Sequence, residues 1–482
     1  MIPKKIKLNK NFIGRQYELK RLSDISNKKE PSIIVTYGRR RVGKTELLEQ
    51  GFRNRNVLKF EGIEGLSQKE QLQHVMWQFS EYKGDPLLAR VVISSWTEFF
   101  KIVAGVVKKG VWTLYFEEVQ WLAGYKEKFI SELKYFWDNY FRHNNNLIVV
   151  LCGSSPSFMI DKVLHSKALY NRSTHEIALK EFSLSETAQF FKKRSAGEVM
   201  DAYLSVGGIP EYLKWVNMKS SVFISLFKNA FFADSFFSHE YKRIFTSSLA
   251  TNRNYKKIIE FMSRQHHVDR NQILKHLKLK TGGTLTTLLT DLEVSGFINK
   301  YTPYNLQSNS RLARYSISDA YLQFYFKFIK PIEKQIDHGD YNNAPLSAIS
   351  SDSHYKWLGF AFERMCRKNH RLFAKILGFE SVKYRAGAFF NRAGNLEKPG
   401  YQLDLVYERD DKVCTVCEIK YLKSKVTSQV IDEFEQKLAL FPNKKNNTIY
   451  KVLITSKGAS DALINQGYFD RIITLEDIFL FA

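Results

Sequence analysis

The chain has 482 residues, of which 44% are hydrophobic, and 73 Lys and Arg residues against 49 Asp and Glu residues give it a net charge of +24. This length suits about three domains, and the hydrophobic content excludes a chain that is disordered throughout. The excess of positive charge indicates a polyanionic partner, most often nucleic acid, although a merely basic protein would have the same composition. We therefore expect DNA as a partner.

The cysteines and the apolar runs bear on the cellular compartment. Four cysteines are too few for a disulfide framework in so long a chain, which indicates a reducing compartment. Cys414 and Cys417 have the spacing of a zinc-binding pair, but they lie in an apolar strand-like run without a second pair of ligands, so we interpret them as buried. The sequence shows neither the apolar core of a signal peptide nor a membrane-spanning apolar run. These features predict a cytoplasmic protein without a membrane partner.

A glycine-rich loop near the start of the chain matches the pattern G-x-x-x-x-G-K-[ST], which surrounds the phosphates of a nucleotide. The loop consists of Gly38, Arg39, Arg40, Arg41, Val42, Gly43, Lys44 and Thr45. The two glycines let the backbone N–H groups curl around one phosphate. Lys44 would supply positive charge to the β- and γ-phosphates, and the Thr45 hydroxyl would ligate Mg²⁺. A buried strand before the loop and a helix after it argue against a chance match, so we predict ATP and Mg²⁺ as cofactors.

Two adjacent acids follow the apolar run 112–116, which reads as another strand. We expect Glu117 to hold Mg²⁺ through its water shell and Glu118 to polarise the attacking water. The alternative is an ordinary pair of charges at the end of a strand.

A third apolar run, 147–152, ends at a polar turn. Ser154 is our candidate for sensing the γ-phosphate, with a plain turn as the alternative. Arg172 could reach a phosphate in the same or a neighbouring subunit, although a solvated arginine is the more frequent outcome. Alternating strands and helices predict a parallel α/β sheet here.

Four motifs occur in a fixed order in the first half of the chain. They are Phe12-Ile13-Gly14-Arg15, the Arg-rich phosphate loop, Cys152-Gly153-Ser154-Ser155 and Gly207-Gly208-Ile209-Pro210. Together they resemble the archaeal-type ATPase family, a branch of the AAA+ and STAND-like P-loop ATPases. The resemblance implies ATP hydrolysis and leaves homo-oligomer formation open. The chain departs from the family in having Glu117 for an Asp and Asn171 for a Gly.

The segment from Tyr255 to Ile317 has the pattern of three short helices and a hairpin, which resembles a winged helix. Basic residues accompany its second helix and its hairpin: Arg270, Lys275, Lys278, Lys280, Arg311 and Arg314. DNA contact is one interpretation, and a packing module is the other.

The last part of the chain carries a second group of acids. Asp404 lies in one strand-like run, and Glu418 and Lys420 lie two residues apart in the next, so they face the same side. This pattern, with Glu363 on a helix upstream, resembles the PD-(D/E)-x-K nuclease fold. Asp404 and Glu418 would bind a metal ion, Glu363 would complete the site, and Lys420 would orient or deprotonate a water.

Two details of this second acidic site remain open. Gln436, on the following helix, is a further candidate to assist the reaction. The alternative for the whole site is a nuclease-like fold used for binding, with its acids neutralised by Lys423 or Lys425.

These interpretations predict an α/β protein of three domains: a P-loop ATPase with a helical lid (1–235), a winged helix (236–335) and an α/β restriction-endonuclease-like domain (336–482). The first hypothesis is an ATP-hydrolysing, DNA-acting enzyme with a Mg²⁺-dependent endonuclease domain. The second is a nucleotide-regulated DNA-binding or signalling switch whose nuclease-like domain is inactive. A third is an ATPase that remodels proteins. Convergence of the C-terminal acids would favour the nuclease.

Overall fold

The computed structural model describes residues 9–170, 172, 174–248, 252–265, 267–279, 283–301, 313–391, 401–443 and 445–482. Asn171, Lys280 and Arg311, named above, lie outside these ranges. The described residues form two compact units. The first draws on Met1–Glu181, Lys242–Lys256 and Gly282–Phe297, and the second on Phe182–Tyr241, Lys257–Thr281 and Ile298–Ala482. The three domain bounds given above stay a prediction.

The first unit is built on a sheet of five parallel strands. The strands are β1 (Ser32–Tyr37), β2 (Asn56–Glu61), β3 (Trp112–Glu117), β4 (Leu147–Gly153) and β5 (Thr174–Ala178), in the order β2-β3-β4-β1-β5. Every residue of β1 and β4 is buried, as expected for central strands covered on both faces. The predicted parallel α/β sheet is confirmed. Because parallel strands end at one edge, the loops after β1, β3 and β4 lie side by side.

The first seven helices all begin within the first unit. They are α1 (Gln16–Asn27), α2 (Lys44–Gly51), α3 (Gln68–Lys83), α4 (Trp96–Val107), α5 (Val119–Leu122), α6 (Lys128–Asn139) and α7 (Pro156–Phe158). The sequence of α4 shows why such a helix forms and packs: the Ser95 hydroxyl caps its first turn, and apolar residues recur along one face. Trp96, Phe99 and Phe100 on that face are buried in an aromatic core with Phe116 of β3.

The remaining helices follow in chain order. They are α8 (Leu184–Phe190), α9 (Ala196–Val206), α10 (Pro210–Val216), α11 (Val222–Phe231), α12 (Phe236–Ser248), α13 (Asn254–Met262), α14 (Arg270–Leu277), α15 (Gly283–Val294), α16 (Ala320–Phe324), α17 (Glu333–His338), α18 (Ser351–Lys368), α19 (His370–Ile376), α20 (Gln429–Ala439), α21 (Asp461–Asn465) and α22 (Leu475–Phe481). Within the described ranges, no helix is long and apolar enough to span a bilayer.

A small antiparallel sheet lies in the segment for which a winged helix is predicted. Its strands are β6 (Val268–Asp269), β7 (Ile298–Tyr301) and β8 (Arg314–Ile317), in the order β6-β8-β7. Helices α13, α14 and α15 occur where the sequence places three short helices. The elements are therefore present, whereas their assignment as a winged helix stays a prediction.

A second five-stranded sheet forms the core of the C-terminal part. Its strands are β9 (Tyr384–Asn391), β10 (Tyr401–Arg409), β11 (Val413–Lys420), β12 (Thr448–Thr455) and β13 (Arg471–Ile473), in the order β13-β12-β11-β10-β9. The sheet is mixed, because β9, β10 and β11 pair antiparallel while β11, β12 and β13 pair parallel. The two strands that carry the predicted acids, β10 and β11, are therefore direct neighbours.

Candidate active sites

The phosphate loop connects β1 to α2, and each of its glycines meets a local geometric requirement. A Cβ atom at Gly38 would lie 2.2 Å from the carbonyl oxygen of Leu179, so a larger residue would clash with the backbone. Gly43 has a φ of 89°, in the left-handed region that favours glycine. Lys44 is buried, and its ammonium group donates to the carbonyl oxygens of Gly38 at 2.8 Å and Arg39 at 3.1 Å. The lysine charge therefore lies inside the curl of the loop.

The three arginines of the loop lie in different environments. Arg39 is buried, and its guanidinium carbon lies 4.7 Å from the centroid of the Phe297 ring, a cation–π distance. Arg40 is exposed and Arg41 is half-buried. Val42 is buried, which anchors the middle of the loop in the core. The contact of Arg39 with Phe297 indicates a structural role for the first arginine.

Arg15, from the Phe-Ile-Gly-Arg motif, holds the phosphate loop from behind. It is 4% exposed, and one guanidinium nitrogen donates to the carbonyl oxygens of Val42 at 3.0 Å and Lys180 at 2.7 Å. The Val42 carbonyl and the Gly43 N–H belong to one planar trans peptide, so they point in opposite directions. By holding that carbonyl, Arg15 fixes the direction of the Gly43 N–H, a donor that the loop needs for phosphate. The sequence pattern gave no sign of this role.

We therefore predict that Arg15→Ala weakens ADP binding about tenfold, which corresponds to losing one charge-assisted hydrogen bond of about 1.4 kcal/mol. Arg15→Lys should recover only part of the affinity, because an ammonium group lacks the planar fork of a guanidinium. Equilibrium titration with a fluorescent ADP analogue measures both. Thermal melting of each variant serves as the control for folding. Full affinity in a folded Arg15→Ala protein would contradict this role.

Thr45 and Glu117 meet at the edge of the sheet although 72 positions separate them in the chain. The Thr45 hydroxyl donates a short hydrogen bond to Oε1 of Glu117, and Oε2 of Glu117 lies 2.5 Å from the Lys59 ammonium. Glu117 is 8% exposed. Hydroxyl and carboxylate oxygens are the metal ligands that Mg²⁺ prefers, so Thr45 and Glu117 fit the ion that the sequence predicts.

Glu118 contacts the residue proposed as the phosphate sensor. One of its oxygens accepts from both the backbone N–H of Ser154 at 3.1 Å and the Ser154 hydroxyl at 2.6 Å. The same oxygen accepts from the buried Gln120 amide at 2.7 Å. The predicted base and the predicted sensor therefore form one hydrogen-bonded pair, which Gln120 joins without having been predicted.

The structure gives Arg172 a local partner. Its guanidinium donates two hydrogen bonds to the Asp138 carboxylate, at 2.8 and 3.0 Å. Lys134 lies 3.2 Å from the same carboxylate. These hydrogen bonds lower the pKa of Asp138, so the acid stays ionised beside both cations. In this structure Arg172 is engaged by an acid, and its role toward phosphate stays a prediction.

In the C-terminal sheet, Asp404 and Glu363 are joined through Gln402. The Gln402 amide nitrogen lies 3.0 Å from Oδ1 of Asp404 and 3.4 Å from Oε2 of Glu363. The second oxygen of Asp404 accepts from the backbone N–H of Ile419 at 3.1 Å. Helix α18 thus brings Glu363 to the acid on β10, as the sequence resemblance implies.

Glu418 lies on β11 and is 1% exposed. The Lys437 ammonium on α20 contacts both of its carboxylate oxygens, at 2.7 and 2.8 Å, and Lys420 contacts one of them at 3.1 Å. Lys420 also lies 3.2 Å from Glu433. A buried carboxylate is therefore matched by two ammonium groups, one of which comes from the helix that follows β11.

The three acids lie close enough for their charges to affect one another. Burial, together with the nearby Glu418 and Glu363 carboxylates, raises the pKa of Asp404 to about 7. Burial alone would lower the pKa of Lys420, but Glu418 and Glu433 outweigh burial and raise it. In the part of the chain that the structure describes, no three His, Cys, Asp or Glu side chains are arranged to hold a metal ion together. A metal here would have Asp404 and Glu418 as protein ligands.

Several expectations for this site need correction. Lys437, not Lys423 or Lys425, neutralises Glu418 with Lys420, whereas Lys423 pairs with Asp352 and Lys425 with Asp461. Gln436 is exposed, and its neighbour Lys437 makes the contact from α20. Along a helix, adjacent residues point about 100° apart, so a one-residue error in sequence changes the face entirely. Cys414 and Cys417 are buried, as predicted, and Cys152 and Cys366 are buried as well.

Comparison with known proteins agrees with the first sheet and its loop. Residues 12–216 match the family model of an ATPase domain found predominantly in Archaea. An uncharacterized protein of Methanocaldococcus jannaschii is 26% identical over 462 residues, which cover 94% of this chain and 98% of that protein.

Solved structures are similar to about two thirds of the chain. The Walker-type ATPase of Pyrococcus abyssi is 17% identical, with a TM-score of 0.50 over 68% of this chain and 99% of that one. The ORC2 protein of Aeropyrum pernix, solved as ADPNP–ADP complexes, is 12% identical, with a TM-score of 0.45 over 69% of this chain and 98% of that one. The family match, the parallel sheet and the phosphate loop together make residues 12–216 similar to the ATPase domains found predominantly in Archaea.

Proposed function

We propose that the protein is an ATP-hydrolysing, DNA-acting enzyme whose C-terminal sheet carries a metal-dependent nuclease site. The observation that carries the proposal is that Asp404 and Glu418 lie on the neighbouring strands β10 and β11, with Lys420 and Lys437 in contact with Glu418. Carboxylates can hold a divalent metal ion and an adjacent ammonium group can orient a water, which suits the hydrolysis of a phosphodiester. Glu363, joined through Gln402, adds a third acid from α18.

At the ATP site, the contacts support a role for each of the predicted residues. Lys44 and the backbone of the phosphate loop would bind the phosphates, and Thr45 with Glu117 would hold Mg²⁺. Glu118 would accept a proton from the attacking water, since it is the acid nearest to the polar turn after β4. Ser154 holds Glu118 through two hydrogen bonds, so a γ-phosphate that engages Ser154 would alter the position of the base.

At the nuclease site, this chain would hold and position the scissile phosphate. Asp404 and Glu418 would hold Mg²⁺, which when bound supplies a Lewis acid for the phosphate oxygens. Lys420 would orient a water or stabilise the charge on the phosphate. Lys437 neutralises Glu418 from α20, so one ammonium can remain with the acid while the other turns to the substrate.

The second hypothesis, a DNA-binding or signalling switch with an inactive nuclease-like domain, also has an observation in its favour. Glu418 is already neutralised by two lysines, and the described residues contain no three-ligand metal cluster. The deciding experiment incubates the protein with linear, circular and branched DNA, Mg²⁺ or Mn²⁺, with and without ATP. Cleavage of any one form supports the nuclease. Failure to cleave every form under all conditions would favour the switch.

We further expect DNA binding to depend steeply on salt, because basic residues release counterions from the phosphates. Lys275 and Lys278 are exposed on and just after α14. Replacing both with Ala should weaken binding equally on all sequences and reduce the slope of log K against log salt by about 2. Fluorescence anisotropy across a salt series measures this slope.

The matched control replaces Lys214 and Lys330, which are exposed and paired with Glu211 and Glu333. This double variant should bind DNA as the wild type does. An unchanged slope in the α14 variant would place the DNA surface elsewhere.

A further inference from the structure

A lysine that no motif selects contacts the acid of the ATP site. Lys59 lies on β2, beside β3, where the strand register pairs it with Tyr115 and pairs Glu61 with Glu117. Residues two apart on a strand share a face, so Lys59 and Glu117 project from the same side of the sheet. The Lys59 ammonium lies 2.5 Å from Oε2 of Glu117 and 3.5 Å from Glu49. The Lys59 ammonium also lies 5.2 Å from the centroid of the Tyr115 ring, and this contact keeps the lysine side chain extended toward Glu117.

The two oxygens of Glu117 are therefore held by different partners. Oε1 accepts from the Thr45 hydroxyl, and Oε2 pairs with Lys59. A hydroxyl has one proton and two lone pairs. When the Thr45 hydroxyl directs its proton at Glu117, the lone pairs of the hydroxyl oxygen remain available to a cation. Glu117 thus orients the hydroxyl, and Lys59 orients Glu117.

This chain of contacts explains how a glutamate can serve where an aspartate is usual. The extra methylene of Glu117 gives the carboxylate more rotamers, and a fixed partner on its outer oxygen removes that freedom. We propose that Lys59 is a positioning residue of the ATP site, which holds Glu117 so that the Thr45 hydroxyl presents its lone pairs to Mg²⁺. This inference rests on the ATP site assigned under the proposed function.

The test is the effect of Mg²⁺ on nucleotide affinity. A fluorescent ADP analogue is titrated into wild-type protein and Lys59→Met, with excess Mg²⁺ and with EDTA. Outer-shell partners of metal ligands typically alter metal affinity about 10- to 100-fold. We expect the nucleotide affinity in EDTA to stay unchanged in Lys59→Met, because the phosphate loop is intact. The Mg²⁺ gain, which is the factor by which Mg²⁺ increases the nucleotide affinity, should fall about tenfold. Lys59→Arg should retain most of the gain.

Controls separate positioning from a general effect of charge. Lys162 forms a comparable ion pair with Glu127 at 2.9 Å, on the surface, and Lys162→Met should behave as wild type. In a Glu117→Asp background the shorter acid withdraws from Lys59, so adding Lys59→Met should change the Mg²⁺ gain little. This double-mutant comparison also serves if Lys59→Met alone folds poorly.

The outcomes are distinct. A Mg²⁺ gain in folded Lys59→Met that equals or exceeds that of wild type would overturn the inference, since the lysine would then only repel the ion. If Lys44→Ala also left nucleotide affinity unchanged, the assigned ATP site itself would be wrong. Loss of binding in Lys44→Ala with a normal gain in Lys59→Met would leave the site standing and reject Lys59 alone.

Discussion

Replacing Glu118 with Gln should preserve ATP binding and slow hydrolysis by about 100- to 10,000-fold, the usual contribution of a general base. The amide keeps the size of the side chain but cannot accept a proton from water. Ser154, which donates two hydrogen bonds to one Glu118 oxygen, can still bond to the amide oxygen of the variant. The geometry should therefore survive. Phosphate release under saturating ATP, beside a binding titration, measures both effects.

Lys44→Ala is the companion variant and should lose binding as well as turnover. Its ammonium lies inside the loop and donates to the carbonyl oxygens of Gly38 and Arg39. The pair of variants separates binding from chemistry. Hydrolysis at the wild-type rate in Glu118→Gln would show that another group acts as the base.

The second large effect concerns Asp404. Asp404→Ala should abolish binding of Mn²⁺ to the nucleotide-free protein while leaving ATP hydrolysis intact, because the phosphate loop lies in the other compact unit. Lys420→Ala should keep the metal, since its role is with the water or the phosphate. Calorimetric titration with Mn²⁺ and the steady-state ATPase rate form the comparison. Equal Mn²⁺ binding by wild type and Asp404→Ala would remove Asp404 from the site.

Local sequence was sufficient for the phosphate loop and for the parallel sheet around it. A glycine-rich turn, a strand before it and a helix after it lie within twenty residues, so spacing alone defines the geometry. The acids after β3 and the polar turn after β4 could be placed for a similar reason, since parallel strands end at one edge. The strands carrying Asp404 and Glu418 were also predictable from their apolar runs.

The residues that hold these groups in place could not be predicted, because their contacts depend on tertiary packing. Arg15 meets Lys180 across 165 positions, and Lys59 meets Glu117 only through the pairing of β2 with β3. Lys437 reaches Glu418 from α20, and no motif in the sequence distinguishes it from the other lysines of the chain. Each of these basic side chains acts through its distance from its partner and its orientation in the folded protein. A sequence motif contains neither quantity.

The most direct test of the central proposal is a plasmid-nicking time course with wild type and Asp404→Ala in parallel. Both proteins are purified identically and incubated with supercoiled DNA and Mg²⁺, with and without ATP. Because a contaminating nuclease would appear in both preparations, the Asp404→Ala protein is the control for contamination. We predict that wild type converts the supercoiled form to the open circle and that Asp404→Ala does not, although it hydrolyses ATP at the wild-type rate. Nicking at equal rates by the two proteins, or by neither, would contradict a nuclease site at Asp404.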